Sequence, residues 1–288
     1  MKLNSPRFGA WFSTFAYLIV ASIKIIIALQ TTSVALLADG LNNLTDIVTS
    51  VALIIGLYIA KKKRDDNHPY GHLRAENVAS LLASFVIAMI GFQILMDTIR
   101  SIINNDYATP DPLATWLAFG SGAFMFIVYY INRKIASNTD SQGLKAIAKD
   151  NFSDALVSIG TGIGILGAQF DLPWLDPLTG VVIGLVILWA AWEIFEETSL
   201  ILTDGINPDE IKKYKKTISA IDEVKNIKDL KARTSGSQVM IDVIITLHPN
   251  LTVKEVDDIV IKIKKLVEEK HNGVVTSVET QMADTFKF

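Results

Sequence analysis

A helical membrane domain of six spans, followed by a small α+β domain, is the fold class this sequence predicts. Three observations predict it. Half of the 288 residues are hydrophobic and only 20% are charged, which is unusual for a soluble chain of this size. Six apolar segments, near 9–29, 33–60, 77–103, 113–133, 142–170 and 176–202, reach or exceed the ~20 residues that a helix needs to cross a bilayer. The charges are unevenly spread, with roughly half of them in the last 80 or so residues. The division falls near residue 205, giving a membrane domain over 1–205 and a second domain over 206–288.

The first apolar run follows Met1-Lys2 and Arg7 and continues to about Ala28. That is too long for the apolar part of a secretory signal, so the segment is expected to be retained as a span. Loop charges then orient the chain, because Lys and Arg accumulate on the cytoplasmic side. Lys2 and Arg7 precede the first segment, Lys61 to Arg64 and Arg74 separate the second from the third, and Arg133, Lys134 and Lys145 surround the fourth-to-fifth connection. The connections Gln30-Thr31-Thr32 and Asp171-Leu172-Pro173-Trp174 carry no basic residue. Both termini are therefore expected in the cytoplasm.

After Leu202, the run Thr203-Asp204-Gly205-Ile206-Asn207-Pro208 reads as a helix stop and a new start. A helix is predicted over 208–221, with strands over 225–234 and 238–247 around a Ser235-Gly236-Ser237 turn. A second helix is predicted over 253–271, its apolar face built from Val256, Ile259, Val260, Ile263 and Val267, and a last strand over 273–280. The order αββαβ suggests a small layered α+β fold.

Chemistry concentrates at two places inside the apolar segments. Asp39 and Asn43 are four residues apart, as are Asp150 and Asp154, so each pair lies on one helix face. Carboxylates in hydrocarbon are costly, turn inward and mark ion or proton pathways. With the spans oriented as above, Asp39 lies ~9 Å below the outer face and Asp154 ~18 Å above the inner one, at 1.5 Å per residue. The two pairs are thus expected to meet, forming an all-oxygen cage for a divalent cation. The alternative is a buried polar network that only ties helices together. The chain has no cysteine, and the quartet has no His, so Mn²⁺ suits it better than Zn²⁺, whose sites usually include His or Cys. Asp46, seven residues beyond Asp39, either lines the inner approach or makes a polar contact within the helices. Lys24, inside the first segment, is expected to snorkel or to pair. The glycines at 160, 162, 164, 167, 180 and 184 are read as helix-packing residues.

A second cluster lies in Asp65-Asp66-Asn67-His68-Pro69-Tyr70-Gly71-His72. Asp65, His68 and His72 make a metal-ligand set, with a solvated polar turn as the alternative. Arg74 opens the third span and Asp204 closes the sixth, and the two are able to pair at the inner surface. His248 and His271 read as surface residues. The net charge of −3 gives no general reason to expect nucleic acid.

These residues together resemble the cation diffusion facilitator family, in particular its manganese-type branch. The stretch Ser33 to Asp46 stands in the signature position, and His68-Pro69-Tyr70-Gly71-His72-Leu73-Arg74-Ala75-Glu76 is similar to the family segment H-x-x-G-H-x-[KR]-x-E. The resemblance implies a proton-coupled exporter of divalent metal with no cofactor, working as a homodimer in the plasma membrane of a bacterium. Its second domain would be metallochaperone-like, of the ferredoxin type. Asp39, Asn43, Asp150 and Asp154 would form the transport site, Asp65, His68 and His72 a loop site, and Arg74 with Asp204 a charge interlock that helps hold the dimer. Zinc-moving relatives commonly have His in place of Asp150 and Asp in place of Asn43. Lys228 and Ile244 stand where a His would help the second domain bind metal, leaving Asp242, His248, Glu279 or Asp284 as a weak set. The competing expectations are export of Zn²⁺, Fe²⁺ or Co²⁺, a passive cation channel, and an intramembrane aspartyl protease. Against the protease, no Gly-x-Gly-Asp stretch occurs.

Overall fold

The computed structural model describes residues 6–104, 109–139, 141–235, 238–271 and 274–282. Six long helices come first: α1 (Pro6–Thr31), α2 (Val34–Ala60), α3 (Ala75–Ile103), α4 (Pro112–Thr139), α5 (Gln142–Gln169) and α6 (Leu175–Leu202). At 26–29 residues each, they run roughly 39–44 Å at 1.5 Å per residue. Five of them are long and apolar enough to cross a membrane. The helix outside that group is α5, whose first half carries Lys145, Lys149, Asp150, Asn151 and Asp154. Trp11, Phe15, Leu29, Leu82, Met89 and Trp116 are exposed along α1, α3 and α4, as suits helices whose outer faces meet lipid rather than water. The fourth helix outruns its apolar segment to reach Thr139. Asn132, Arg133 and Lys134 end the hydrophobic run but are compatible with helix, so the backbone continues past them.

The chain divides into two units, Met1–Ala52 with Leu82–Ile194, and Leu53–Leu81 with Phe195–Phe288. In the first, α4 packs along α5 and α1 lies against both. Between α1 and α2 the chain turns at Thr32, which has a left-handed φ of 57°. Ser33 then caps α2 by accepting from the Leu36 N–H. Asp176 of α6, 2% exposed, reinforces that end, accepting from the Ser33 hydroxyl at 2.6 Å and the Val34 N–H at 2.8 Å. A carboxylate at a helix N-terminus meets both the unpaired N–H groups and the positive end of the dipole. Close approach of α5 to α6 depends on Gly164, where a Cβ would lie 2.0 Å from the Thr179 hydroxyl.

The second unit contains the small domain: α7 (Pro208–Ser219), β1 (Asn226–Ser235), β2 (Gln238–Leu247), α8 (Val253–Lys270) and β3 (Val274–Met282). The αββαβ order is the one read from the sequence. Gly236 and Ser237 of the expected turn lie outside the described residues, and Ser235 pairs with Gln238 across it. The sheet order is β1-β2-β3, with β1–β2 antiparallel and β2–β3 parallel. Ile241, Val243 and Ile245 of β2 meet Tyr214 and Ile218 of α7 and Ile259, Ile263 and Val267 of α8 in one core. Thr252 opens α8 with a capping box, exchanging hydrogen bonds with Glu255. His271 closes it and is half-buried rather than at the surface. Its Nε2 lies 2.9 Å from the Thr217 hydroxyl, and its ring meets Tyr214 edge-on.

The end of α6 is a Schellman turn, with the Gly205 N–H on Leu200 O and the Asp204 N–H on Ile201 O. Its left-handed position, usually glycine, is filled by Asp204 at φ 62°.

Candidate functional site

The buried polar centre of the first unit is built on α1, α2 and α5. Lys24 projects from α1 and is fully buried, so it does not snorkel. Its ammonium lies 2.8 Å from Asp39 Oδ2 on α2 and donates at 2.8 Å to Asn43 Oδ1 on the same helix face and at 2.8 Å to Ser158 Oγ on α5. Two of the ammonium's three donors make these hydrogen bonds, and Asp39 is held as an ion pair. An unpaired charge at this depth costs several kcal/mol, so Lys24 and Asp39 each make the other tenable. Gly40 sets the distance: a Cβ there would stand 2.9 Å from Ile25 Cγ1 and 3.1 Å from Lys24 Cβ.

Asp154 sits one step away. Its Oδ2 accepts from the Tyr17 hydroxyl at 2.6 Å and its Oδ1 from Asn42 Nδ2 at 3.1 Å. Ser158, one turn further along α5, donates to the Asp154 carbonyl at 2.9 Å and lies 3.4 Å from Asp39 Oδ1. Behind Tyr17 runs a chain of polar contacts. Asn151 Nδ2 donates to the Tyr17 oxygen at 2.9 Å, while Ser13 and Asn132 donate to Asn151 Oδ1 at 3.0 and 2.9 Å. Asp46 lies within electrostatic reach of Asp150, Asp154 and Lys24, and its Oδ2 is buried without a hydrogen bond. Asp150 is exposed.

The four residues singled out in the membrane segments thus fall into three situations. Asp39 and Asn43 share one cation, the ammonium. Asp154 joins them through Ser158 and Asn42, and Asp150 stays on an open face. Asp39, Asp150 and Asp154 do not converge within ligand distance of one another in this conformation. Sequence reasoning left out Tyr17, Asn42 and Ser158 and did not connect Lys24 to the acids. A signal was present: Ser13, Tyr17 and Lys24 repeat at helical spacing along one face of α1, and Ser158 follows Asp154 by four.

The loop cluster belongs to the second unit. Among the described residues, Asp65, His68 and His72 form the one group of three or more His, Asp or Glu side chains whose ligand atoms lie within 4.8 Å of one another. Asp65 organises the loop. Its Oδ1 accepts from the N–H groups of Asn67 at 3.1 Å and His68 at 2.7 Å, an Asx turn, and lies 2.8 Å from His68 Nδ1. Its Oδ2 is 3.4 Å from His72 Nε2. The two imidazole rings stand 4.1 Å apart, with Gly71 between them at φ +83°. The His68 hydrogen bond, with help from the nearby imidazoles, holds the Asp65 carboxyl below its ordinary range. A His68 that donates from Nδ1 keeps Nε2 for a metal.

Beside this cluster lies a cavity of about 600 Å³ lined by Tyr70, His72, Arg74, Asp204 and Arg233 among others. Arg74 and Asp204 form an ion pair within one chain, and the Arg233 guanidinium lies 5.9 Å over the Tyr70 ring. In the small domain, Asp242, His248 and Glu279 do not gather into a ligand group, and Asp284 lies outside the described residues.

Comparison with known proteins gives two family matches. Residues 10–203 match the cation efflux transmembrane domain, and residues 206–282 match the cation efflux protein cytoplasmic domain. The manganese efflux system protein MneS of Bacillus subtilis is 47% identical over 270 residues, covering 94% of this chain and 93% of its own. The uncharacterized transporter YdbO of the same organism is 42% identical over 283 residues, with 98% of both chains covered. The manganese efflux system protein MneP, also from B. subtilis, is 26% identical over 273 residues and 92% of both chains.

Proposed function

The chain belongs to the cation efflux family, the cation diffusion facilitators, and from that premise we propose that it exports Mn²⁺ from the cytoplasm in exchange for protons. Its family makes it a membrane-spanning metal transporter and not an enzyme. The observation that carries the cargo assignment is the donor chemistry around Lys24. Lys24 meets oxygens of Asp39, Asn43 and Ser158, the Asp154 carboxylate lies nearby on Tyr17 and Asn42, and none of these groups is an imidazole or thiolate. An all-oxygen set suits Mn²⁺, whereas Zn²⁺ favours sites with nitrogen or sulfur. The 47% identity to a manganese efflux protein supports the same reading.

In this reading Asp39, Asn43, Asp150 and Asp154 are the cargo ligands, and Asp46 lines the inner approach. The cytoplasm-facing state loads the metal, the helices rock, and protons arriving from outside compete for the three carboxylates, because a metal ligand must give up its proton to bind. The loop set Asp65, His68 and His72 would capture metal at the inner surface. Arg74 and Asp204 would lock the inner ends of the third and sixth helices in a homodimer, which the match to the family's cytoplasmic domain supports. A bacterial plasma membrane with both termini inside fits the loop charges and the B. subtilis relatives.

The test is metal flux in proteoliposomes carrying an imposed pH gradient. Uptake of Mn²⁺ that follows the gradient and outcompetes Zn²⁺ is the expected result. Flux indifferent to the gradient would point to a channel instead, and preference for Zn²⁺ would overturn the cargo assignment.

A further inference from the structure

We propose that Lys24 is a positioning residue for transport, a tethered counter-cation that occupies the cargo's own ligands and must be displaced for the metal to bind. The inference rests on the reading of Asp39 and Asn43 as cargo ligands. Three observations carry it. The ammonium is fully buried, its three contacts are all oxygens at 2.8 Å, and two of those oxygens belong to the cargo quartet. A divalent ion bound to Asp39 and Asn43 needs the same lone pairs, and two cations sharing one carboxylate repel strongly in a low dielectric. Metal and ammonium are therefore alternatives.

The stem allows the exchange. Lys carries its charge on a flexible four-carbon chain with rotatable donors, so the head can leave while the backbone stays packed. The backbone is held there by Gly40, whose missing Cβ lets α2 lie against Lys24 and Ile25. Ser158 gives the ammonium a third acceptor on α5, the helix of Asp150 and Asp154. Lys24 thus ties α1, α2 and α5 together when the cargo is away and frees α5 when it arrives. The same competition acts in reverse at release. A returning ammonium neutralises Asp39 as the metal departs, so the acid is not left uncompensated in the membrane. Weaker binding and faster release come from one side chain.

The test uses the full-length protein carrying His68→Ala and His72→Ala, so that the loop cluster does not contribute to binding, in detergent for Mn²⁺ titration and thermal unfolding and in liposomes for Mn²⁺ flux. An ammonium that holds the cage about nine-tenths of the time weakens apparent affinity about tenfold, so Lys24→Met should bind Mn²⁺ about tenfold more tightly. Its flux should saturate at lower Mn²⁺ and reach a lower maximum. With the metal chelated, Lys24→Met should unfold at a lower temperature than the wild type, and saturating Mn²⁺ should remove most of that deficit. A purely structural clamp gives the same deficit with and without metal, and that result, or an unchanged or weaker Kd in the folded variant, overturns the proposal. If Lys24→Met does not fold, Ser158→Ala decides. It keeps both charges but removes one acceptor, and should also tighten Mn²⁺ binding; equal or weaker binding overturns the proposal. Asp39→Ala separates the two levels. Undiminished Mn²⁺ binding in Asp39→Ala sinks the cage reading itself. Lost binding there, with wild-type affinity in Lys24→Met and Ser158→Ala, sinks only the displacement.

Discussion

Tyr17 of α1 donates its hydroxyl hydrogen to Asp154 Oδ2 of α5 across 2.6 Å, and the same phenol oxygen accepts from Asn151. One hydroxyl thus holds the carboxylate and is itself held. Tyr17→Phe removes both bonds with little change of volume, leaving Asn42 as the remaining side-chain donor to Asp154. The expected loss is about 1 kcal/mol, since hydrogen bonds between membrane helices are modest and an orphaned acceptor adds to the cost. Thermal unfolding in detergent measures it, and a variant as stable as the wild type would show that the bond does not tie α1 to α5.

Asp150 is the opposite case. It is exposed in the chain, so Asp150→Ala opens no cavity and should change stability by less than about 0.5 kcal/mol. Transport should nonetheless fall to background if Asp150 is one of four cargo ligands, as proposed above, because such a quartet has no spare ligand. Normal Mn²⁺ flux from the purified variant would remove Asp150 from the cargo site.

His68→Ala combined with His72→Ala should leave partial transport while a bound metal ion is lost from each chain. Both residues lie in the loop between α2 and α3, and their cluster is complete without any membrane acid. Metal content and flux, measured on the same preparation, separate capture from translocation. Complete loss of flux in a folded variant would make the loop an obligatory site.

Asp204→Gly sets two small effects against each other. Glycine relieves a left-handed backbone position that costs a non-glycine residue about 1–2 kcal/mol, while the loss is a half-exposed ion pair worth about 0–1 kcal/mol. Stability should hold or rise slightly, and transport should fall if the Arg74 pair locks the inner ends of the helices. A variant with full transport at any stability would reduce the pair to a surface contact.

Acid should loosen the first turn of α8. Hydrogen bonds from the Thr252 N–H and hydroxyl hold the Glu255 carboxyl below its ordinary range. A depressed folded-state value means that the charged form stabilises above the unfolded pKa, about 4.3, and that this contribution is lost as pH falls through the folded value. Amide protection at Glu255 and Val256, corrected for intrinsic exchange, should be full at neutral pH and decline below that range. Glu255→Gln should lack the decline, and identical profiles for the two proteins would discount the capping box.

Long apolar periodicity was enough to read the six helices and the αββαβ order, because bilayer thickness and core burial both impose regular patterns on side chains. The apolar segment near 113–133 is shorter than α4, since hydropathy marks where lipid stops and not where the backbone uncoils. Lys24 was harder. A charge within an apolar run has two outcomes, reaching to the interface or pairing, and only the positions of Asp39, Asn43 and Ser158 in space distinguish them. His271 likewise depends on α7 lying beside α8, which no local pattern announces. The helical spacing of Asp39 with Asn43 and of Asp150 with Asp154 is legible in the sequence. Which of the four share a partner is not, because that depends on how α1 fits between the other helices.

The parallel pairing of β2 with β3 has a kinetic consequence. The β1–β2 hairpin closes through neighbouring residues, but the second edge of β2 waits until α8 has formed and brought β3 alongside. Until then, a backbone edge flanked by Val239, Ile241, Val243 and Ile245 is open to pairing with any other chain. That interval leaves the domain vulnerable during synthesis. A chain interrupted within α8 would show it as aggregation before any loss of transport could be measured.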